Sequence, residues 1–123
     1  MSEREAIEST IQLYFDSMYE SSKDMVDEAF HPSAKITGIF AGEFHEMSRD
    51  EFGDFVGSQE PSPREDGLTL KTEILSVEVA GITAAARVRD EYLGFIFLDT
   101  LSLVKVDDKW VIYNKLFHIE SEG

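Results

Sequence analysis

The chain has 123 residues, with 11 Lys and Arg against 25 Asp and Glu, a formal net charge of −14. That balance argues against a nucleic-acid partner, whose affinity rests on clustered cations, and reads instead as a solvated acidic surface. The absence of cysteine excludes disulfides and thiolate chemistry. No apolar run reaches the roughly 20 residues a membrane helix needs, and MSEREAIEST at the amino terminus holds no apolar signal core. The expectation is a cytoplasmic protein without a membrane segment, one domain over residues 1–123.

Ser2 and Glu5 have the S-x-x-E spacing of a capping box, in which each side chain satisfies backbone donors at a helix start. Ile7, Ile11, Tyr14, Phe15 and Met18 then recur at three- and four-residue steps, predicting an amphipathic helix to about Tyr19. Tyr14 is either core with a wet tip or a buried phenol that needs a partner. Ser21-Ser22 breaks this helix and caps a second, short one, with Met25, Val26, Ala29 and Phe30 on its apolar side. It should stop at His31, since the residue before Pro32 is pushed out of the helical region. His31 is then a pocket acid or base, or a charge at a helix carboxyl end.

Residues 34–40 read as a strand with Gly38 as a bulge or kink, and 41–47 as a short second strand. Ser48 and Glu51 repeat the capping box and start a third helix with Phe52, Phe55 and Val56 inward and Gly57 as its C-terminal cap. SQEPSPREDG (58–67) has no apolar residue and reads as a surface loop. From Leu68 onward the pattern is four long strands, 68–80, 82–93, 95–106 and 110–119, an antiparallel meander. Helices first and a meander after them mean α+β. Several strands are apolar on both faces, so something besides the helices must cover the sheet; a homodimer through the sheet is the economical answer. Arg87, Arg89 and Glu91 share one face and read as a cross-strand ion ladder.

The final hairpin, FIFLDTLSLVKVDDKWVIYNKLFHI (95–119), holds few polar residues. Asp99 alternates with Phe97, Leu101 and Leu103, and an acid there is costly to bury unless something pairs with it. Lys115 and His118 on the next strand are the candidates. A strict two-residue turn at Asp107-Asp108 sets Asp99 opposite Leu116 and turns Lys115 away; a three-residue loop or a bulge brings Lys115 to the same face. Asp-Asp lacks the glycine that a two-residue turn favours, so the longer loop is expected. Lys115 then either holds a ligand's polar group or forms a buried ion pair that fixes register. His31, His45 and His118 have no ligand spacing, and no phosphate loop, dinucleotide fingerprint or nucleophile elbow is present. Neither a metal nor a cofactor is expected.

The order of elements, with YFDSMY (14–19), EAFHPSA (28–34), LDTLSLVKVDDKW (98–110) and NKLFH (114–118), resembles the nuclear transport factor 2-like superfamily, and within it the branch labelled "putative lumazine-binding". The resemblance covers nearly the whole chain. It implies a strongly curved, mostly antiparallel sheet of about six strands wrapped around three helices, a pocket at the open end of the cone, and dimerisation through the sheet. By resemblance to ketosteroid isomerase in the same superfamily, an acid in the fifth strand and a tyrosine on the first helix belong in the pocket, which are Asp99 and Tyr14. That enzyme's general-base aspartate has no counterpart; His31 stands in its neighbourhood.

The expected function is binding of a small molecule by a homodimer. Tyr14, His31, Asp99 and Lys115 are the polar contacts, and Met18, Leu101, Tyr113 and Phe117 the apolar and aromatic lining. The alternative is a cofactor-independent isomerase or dehydratase with Asp99 and His31 as catalytic groups. A third option is an assembly scaffold with a vestigial pocket.

Overall fold

Both S-x-x-E sequences close as capping boxes. Ser2 Oγ accepts from the Glu5 N–H at 3.1 Å while the Ser2 N–H donates to Glu5 Oε1 at 3.0 Å, starting α1 (Glu3–Tyr19) with Ile7, Ile11, Tyr14, Phe15 and Met18 on its buried face. Ser48 and Glu51 do the same at 3.2 and 2.9 Å for α3 (Arg49–Gly57). Ser22 caps α2 (Lys23–Ala29). The computed structural model describes residues 2–122, and among them are these three helices and six strands: β1 (Phe30–Phe40), β2 (Glu43–Ser48), β3 (Thr72–Ala80), β4 (Thr83–Tyr92), β5 (Phe95–Val106) and β6 (Lys109–Glu122).

Three local expectations are corrected. Helix α2 stops at Ala29, and Phe30 is already extended (φ −110°, ψ 143°), so His31 lies in β1 instead of at a helix end. Gly57 is the last residue of α3 and Ser58 caps it. Gly38 marks close approach: a Cβ there would stand 2.6 Å from the ring and carbonyl oxygen of Phe117.

The sheet runs β2-β1-β6-β5-β4-β3. Strands β3 to β6 form the expected antiparallel meander, β1 pairs antiparallel with β2, and β1 lies parallel to β6. The β5–β6 turn has two residues, with Val106 opposite Lys109 and both Asp107 (φ 50°) and Asp108 (φ 63°) left-handed. That is the twist a tight hairpin needs, and Asp is among the residues that tolerate it. The expected longer loop is absent.

What turns Lys115 inward is a bulge. Leu103 pairs with Ile112 and Ser102 with Asn114, leaving Tyr113 unmatched; beyond it Leu101 pairs with Lys115 and Asp99 with Phe117. An irregularity in β1 between Phe30 and Lys35 lies alongside. Bulges bend and twist a sheet, and here they curl it into an α+β cone with the helices packed against its inner face. Ile7, Ile11 and Phe15 of α1 meet Val88, Leu101, Leu103 and Ile112 of the sheet in one buried core.

Candidate functional site

Strand β4 directs Ala84, Ala86, Val88, Asp90 and Tyr92 inward, a buried series broken by outward residues. Strand β5 directs Asp99, Leu101 and Leu103 to the same side. Because Val88 stands opposite Asp99 and Asp90 opposite Phe97, the two aspartates are diagonal neighbours on the concave face, a spacing at which side chains meet. Both are buried, Asp90 at 2% and Asp99 at 0% exposure.

Tyr14, also fully buried, reaches across from α1 and donates its hydroxyl hydrogen to Asp99 Oδ2 at 2.7 Å. The other Asp99 oxygen and both oxygens of Asp90 meet no donor among the described residues. The Asp90 and Asp99 carboxyls, at diagonal positions of β4 and β5, are near enough for the Asp99 charge to act on Asp90. Two carboxylates have no hydrogen to share; a single proton held between them bridges one oxygen of each and leaves a third oxygen without a donor. Burial, and next the charge and hydrogen bond of Asp99, push the Asp90 carboxyl well above the usual range, with the Lys115 charge opposing. Burial first, then the charges of Asp90 and Asp99, push the Tyr14 phenol well above its ordinary value. Tyr14 therefore stays a hydrogen-bond donor. Burial also raises Tyr92, whose hydroxyl has no partner among the described residues.

This polar cluster lies at one side of a cavity of about 300 Å³. Phe40, Phe95, Phe97 and Phe117 form a chain of edge-to-face rings along its wall, with centroids 5.7, 6.2 and 6.1 Å apart in turn. Met18, Ile36 and Phe52 add apolar surface, and His45, Asp90, Tyr92 and Lys115 are its polar members. Lys115 is 5% exposed. Its Nζ sits 4.7 Å from the Tyr14 ring centroid and 4.6 Å from that of Phe52, close enough for cation–π attraction. A second cavity of about 320 Å³, lined by Tyr19, Pro63 and residues 67–72, shares Met18, Asp90, Tyr92 and Leu93 with the first. Asp90 borders both.

Of the residues singled out from the sequence, Met18, Lys115 and Phe117 line the apolar cavity, while Tyr14 and Asp99 form the hydrogen-bonded layer behind it. Leu101 is wholly buried beside Asp99 in the core. His31 and Tyr113 are not brought to either cavity. They pack against each other with ring centroids 5.5 Å apart, and His31 Nδ1 accepts a local bond from the Ser33 N–H at 2.9 Å. The physical reasons are adjacent. Inward-facing Phe30 puts the next residue of an extended strand outward, and the bulge reverses Tyr113 relative to Lys115. Asp90 was not anticipated, although the series Ala84, Ala86, Val88 points to it two residues on.

A curved six-stranded, mostly antiparallel sheet with three helices inside is the fold of the nuclear transport factor 2-like class. Within that class the chain belongs to the family described as "Putative lumazine-binding", whose family model matches residues 2–118. "Aldolase FrzH" from Cladobotryum sp. is 31% identical over 119 residues, 95% of this chain and 91% of that protein. A crystal structure from Silicibacter pomeroyi, described as an NTF2-like protein of unknown function, superposes with a TM-score of 0.87 at 23% identity, covering 98% of this chain and 100% of that one. One from Shewanella baltica, described likewise, gives 0.85 at 25% identity over 98% and 95%. No helix among the described residues is long and apolar enough to cross a membrane.

Proposed function

We propose that the protein takes a mainly apolar, ring-bearing carbonyl compound into the aromatic cavity and carries out cofactor-independent proton transfer at the carbon beside that carbonyl. The observation that carries this reading is the Asp90–Asp99 carboxyl pair, buried without sufficient donors at the edge of an apolar cavity. Such a pair holds one proton and one negative charge, so it offers an acid and a base in one place. The ionised carboxyl removes the α-proton, and the C–H electrons move into the enolate. The protonated partner, or the Lys115 ammonium, donates to the developing oxyanion. Tyr14 holds Asp99 in position. An aldolase forms or breaks a carbon–carbon bond through this type of intermediate, and the name carried by the relative from Cladobotryum supports the reading. Asp90 and Asp99 are the acid–base pair in this scheme; His31 has no part in it.

The test is deuterium uptake from D2O at the α-carbons of 4-phenylcyclohexanone, followed by NMR. Uptake above buffer that falls in Asp90→Asn and Asp99→Asn supports catalysis. A thermal shift with this ketone, or with lumazine, but no uptake above buffer refutes catalysis and leaves a binding protein, a reading favoured by the mainly apolar, phenylalanine-rich wall. The same proposal includes a cytoplasmic homodimer joined through the outer sheet face, where Tyr113 and Leu116 stand about half exposed. A monomer in sedimentation equilibrium at micromolar concentration removes that part.

A further inference from the structure

Lysine normally runs its stem along apolar surface and keeps its ammonium in bulk water. Lys115 does not. Strand β6 fixes it on the concave face opposite Leu101, and its amine ends over the faces of Tyr14 and Phe52, inside the cavity wall. Among the described residues it makes no hydrogen bond, and no carboxylate lies within 4.0 Å of it in an ion pair. Among the other lysines, Lys23, Lys71 and Lys105 hold carboxylates, and Lys35 and Lys109 are exposed to solvent. An amine about nineteen-twentieths buried, without a partner and open only to an apolar cavity beside two carboxyls, has the surroundings of an amine nucleophile.

We infer that Lys115 captures the ligand's carbonyl covalently as an iminium ion, so that the protein handles ketones or aldehydes and not carboxylic acids or esters. This rests on the carbonyl reading above and deepens it. In the step, the Lys115 ammonium passes a proton to the carboxyl pair, and the freed lone pair attacks the carbonyl carbon. The C–O π electrons take a proton back from the acid, and the attacking nitrogen, now cationic, returns one of its own protons to the pair, giving a neutral carbinolamine. A further proton from the pair lets the C–O bond break as water leaves, and the nitrogen lone pair forms the C=N bond. The balance is one ammonium and one carbonyl in, one iminium and one water out, with the pair only lending protons. The iminium then draws the α-proton to the ionised carboxyl, which gives an enamine in place of an enolate. The aromatic faces of Tyr14 and Phe52, which hold an ammonium before the step, hold the iminium charge after it.

The test is reductive trapping of the full chain with 4-phenylcyclohexanone and borohydride, read by intact mass and peptide mapping. A gain equal to the ketone less one oxygen, with roughly tenfold more label on Lys115 than on any surface lysine, supports the inference. Lys115→Arg keeps a cation but cannot form the bond, and should lose that label. Should Lys115→Arg fail to fold, the mapped position in the parent chain still decides the matter. Ketone binding or α-deuterium uptake without label at Lys115 overturns the inference and leaves the carbonyl reading standing. No binding and no uptake overturn both.

Discussion

Replacing Asp90 by asparagine should make this protein more stable. In the parent chain a 2%-exposed carboxyl offers two oxygens to surroundings with no donor, and its diagonal neighbour Asp99 also has one oxygen, Oδ1, with none. An asparagine in its place keeps the shape, sheds the charge and gains an amide hydrogen to donate to that Asp99 oxygen. An unsatisfied buried polar group costs about 1–3 kcal/mol, so the gain expected at pH 8 is about 1–3 kcal/mol. That corresponds to roughly 3–6 °C in Tm per kcal/mol at this chain length. The pH dependence gives a second handle. The Asp90 pKa is raised in the folded state by burial and by Asp99, so folded protein keeps a proton that unfolded chain releases. Its stability is fully present below the ordinary aspartate value of about 3.9 and is lost as pH rises through the folded value. Urea unfolding of parent and Asp90→Asn between pH 4 and 9 measures both effects. The variant should lie above the parent at the alkaline end and its curve should be flatter. A variant less stable than the parent at pH 8, or one with the parent's slope, refutes the carboxyl-pair reasoning. A residue that costs stability where it sits is what a working site tends to contain.

Tyr14→Phe removes the 2.7 Å bond to Asp99 and should cost about 1.5–3 kcal/mol in chemical denaturation, the range for hydrogen bonds to charged groups; a variant matching the parent would mean the bond contributes nothing. Gly38→Ala drives a methyl into the Phe117 ring and carbonyl. It should cost about 1–3 kcal/mol and weaken the thermal shift with 4-phenylcyclohexanone, because Phe117 is part of the cavity wall. Ser48→Ala opens the second capping box and should cost about 1 kcal/mol, read as a lower urea midpoint with unchanged ketone binding.

How far the sequence carried depended on how local each signal was. Capping boxes complete themselves within four residues, so both helix starts were legible, and the meander followed from its β-branched runs. Asp99 and Tyr14 were found because each interrupts an apolar face. Asp90 was hidden inside RVRDEY (87–92), where Arg87, Arg89 and Glu91 on the opposite face make the whole run look like a solvated rim. In the structure Arg89 indeed spans Glu73 and Glu120. Period-two counting from Ala84 would have separated the faces. Lys115 was foreseen as facing Asp99 only if the register slipped, and the slip came from the bulge alternative, not from a longer turn. A bulge depends on what the neighbouring strands demand, so nothing within β6 announces it. The same bulge sets Tyr113 on the face opposite Lys115, while His31 points outward because Phe30 before it points inward.

The odd residue in β6 has a consequence for how related chains can be compared. Residues 109–112 take their facing from the tight turn, whereas 114 onward take theirs from β1 and the far half of β5. Tyr113 belongs to neither count. A chain lacking it would pair without interruption and still present its lysine opposite Leu101, so length at this one point is free to drift while the cavity keeps its chemistry. Elsewhere between 110 and 117 a one-residue change exchanges inner and outer side chains. An ungapped alignment of a bulged chain with an unbulged one would therefore assign the cavity amine to the wrong column.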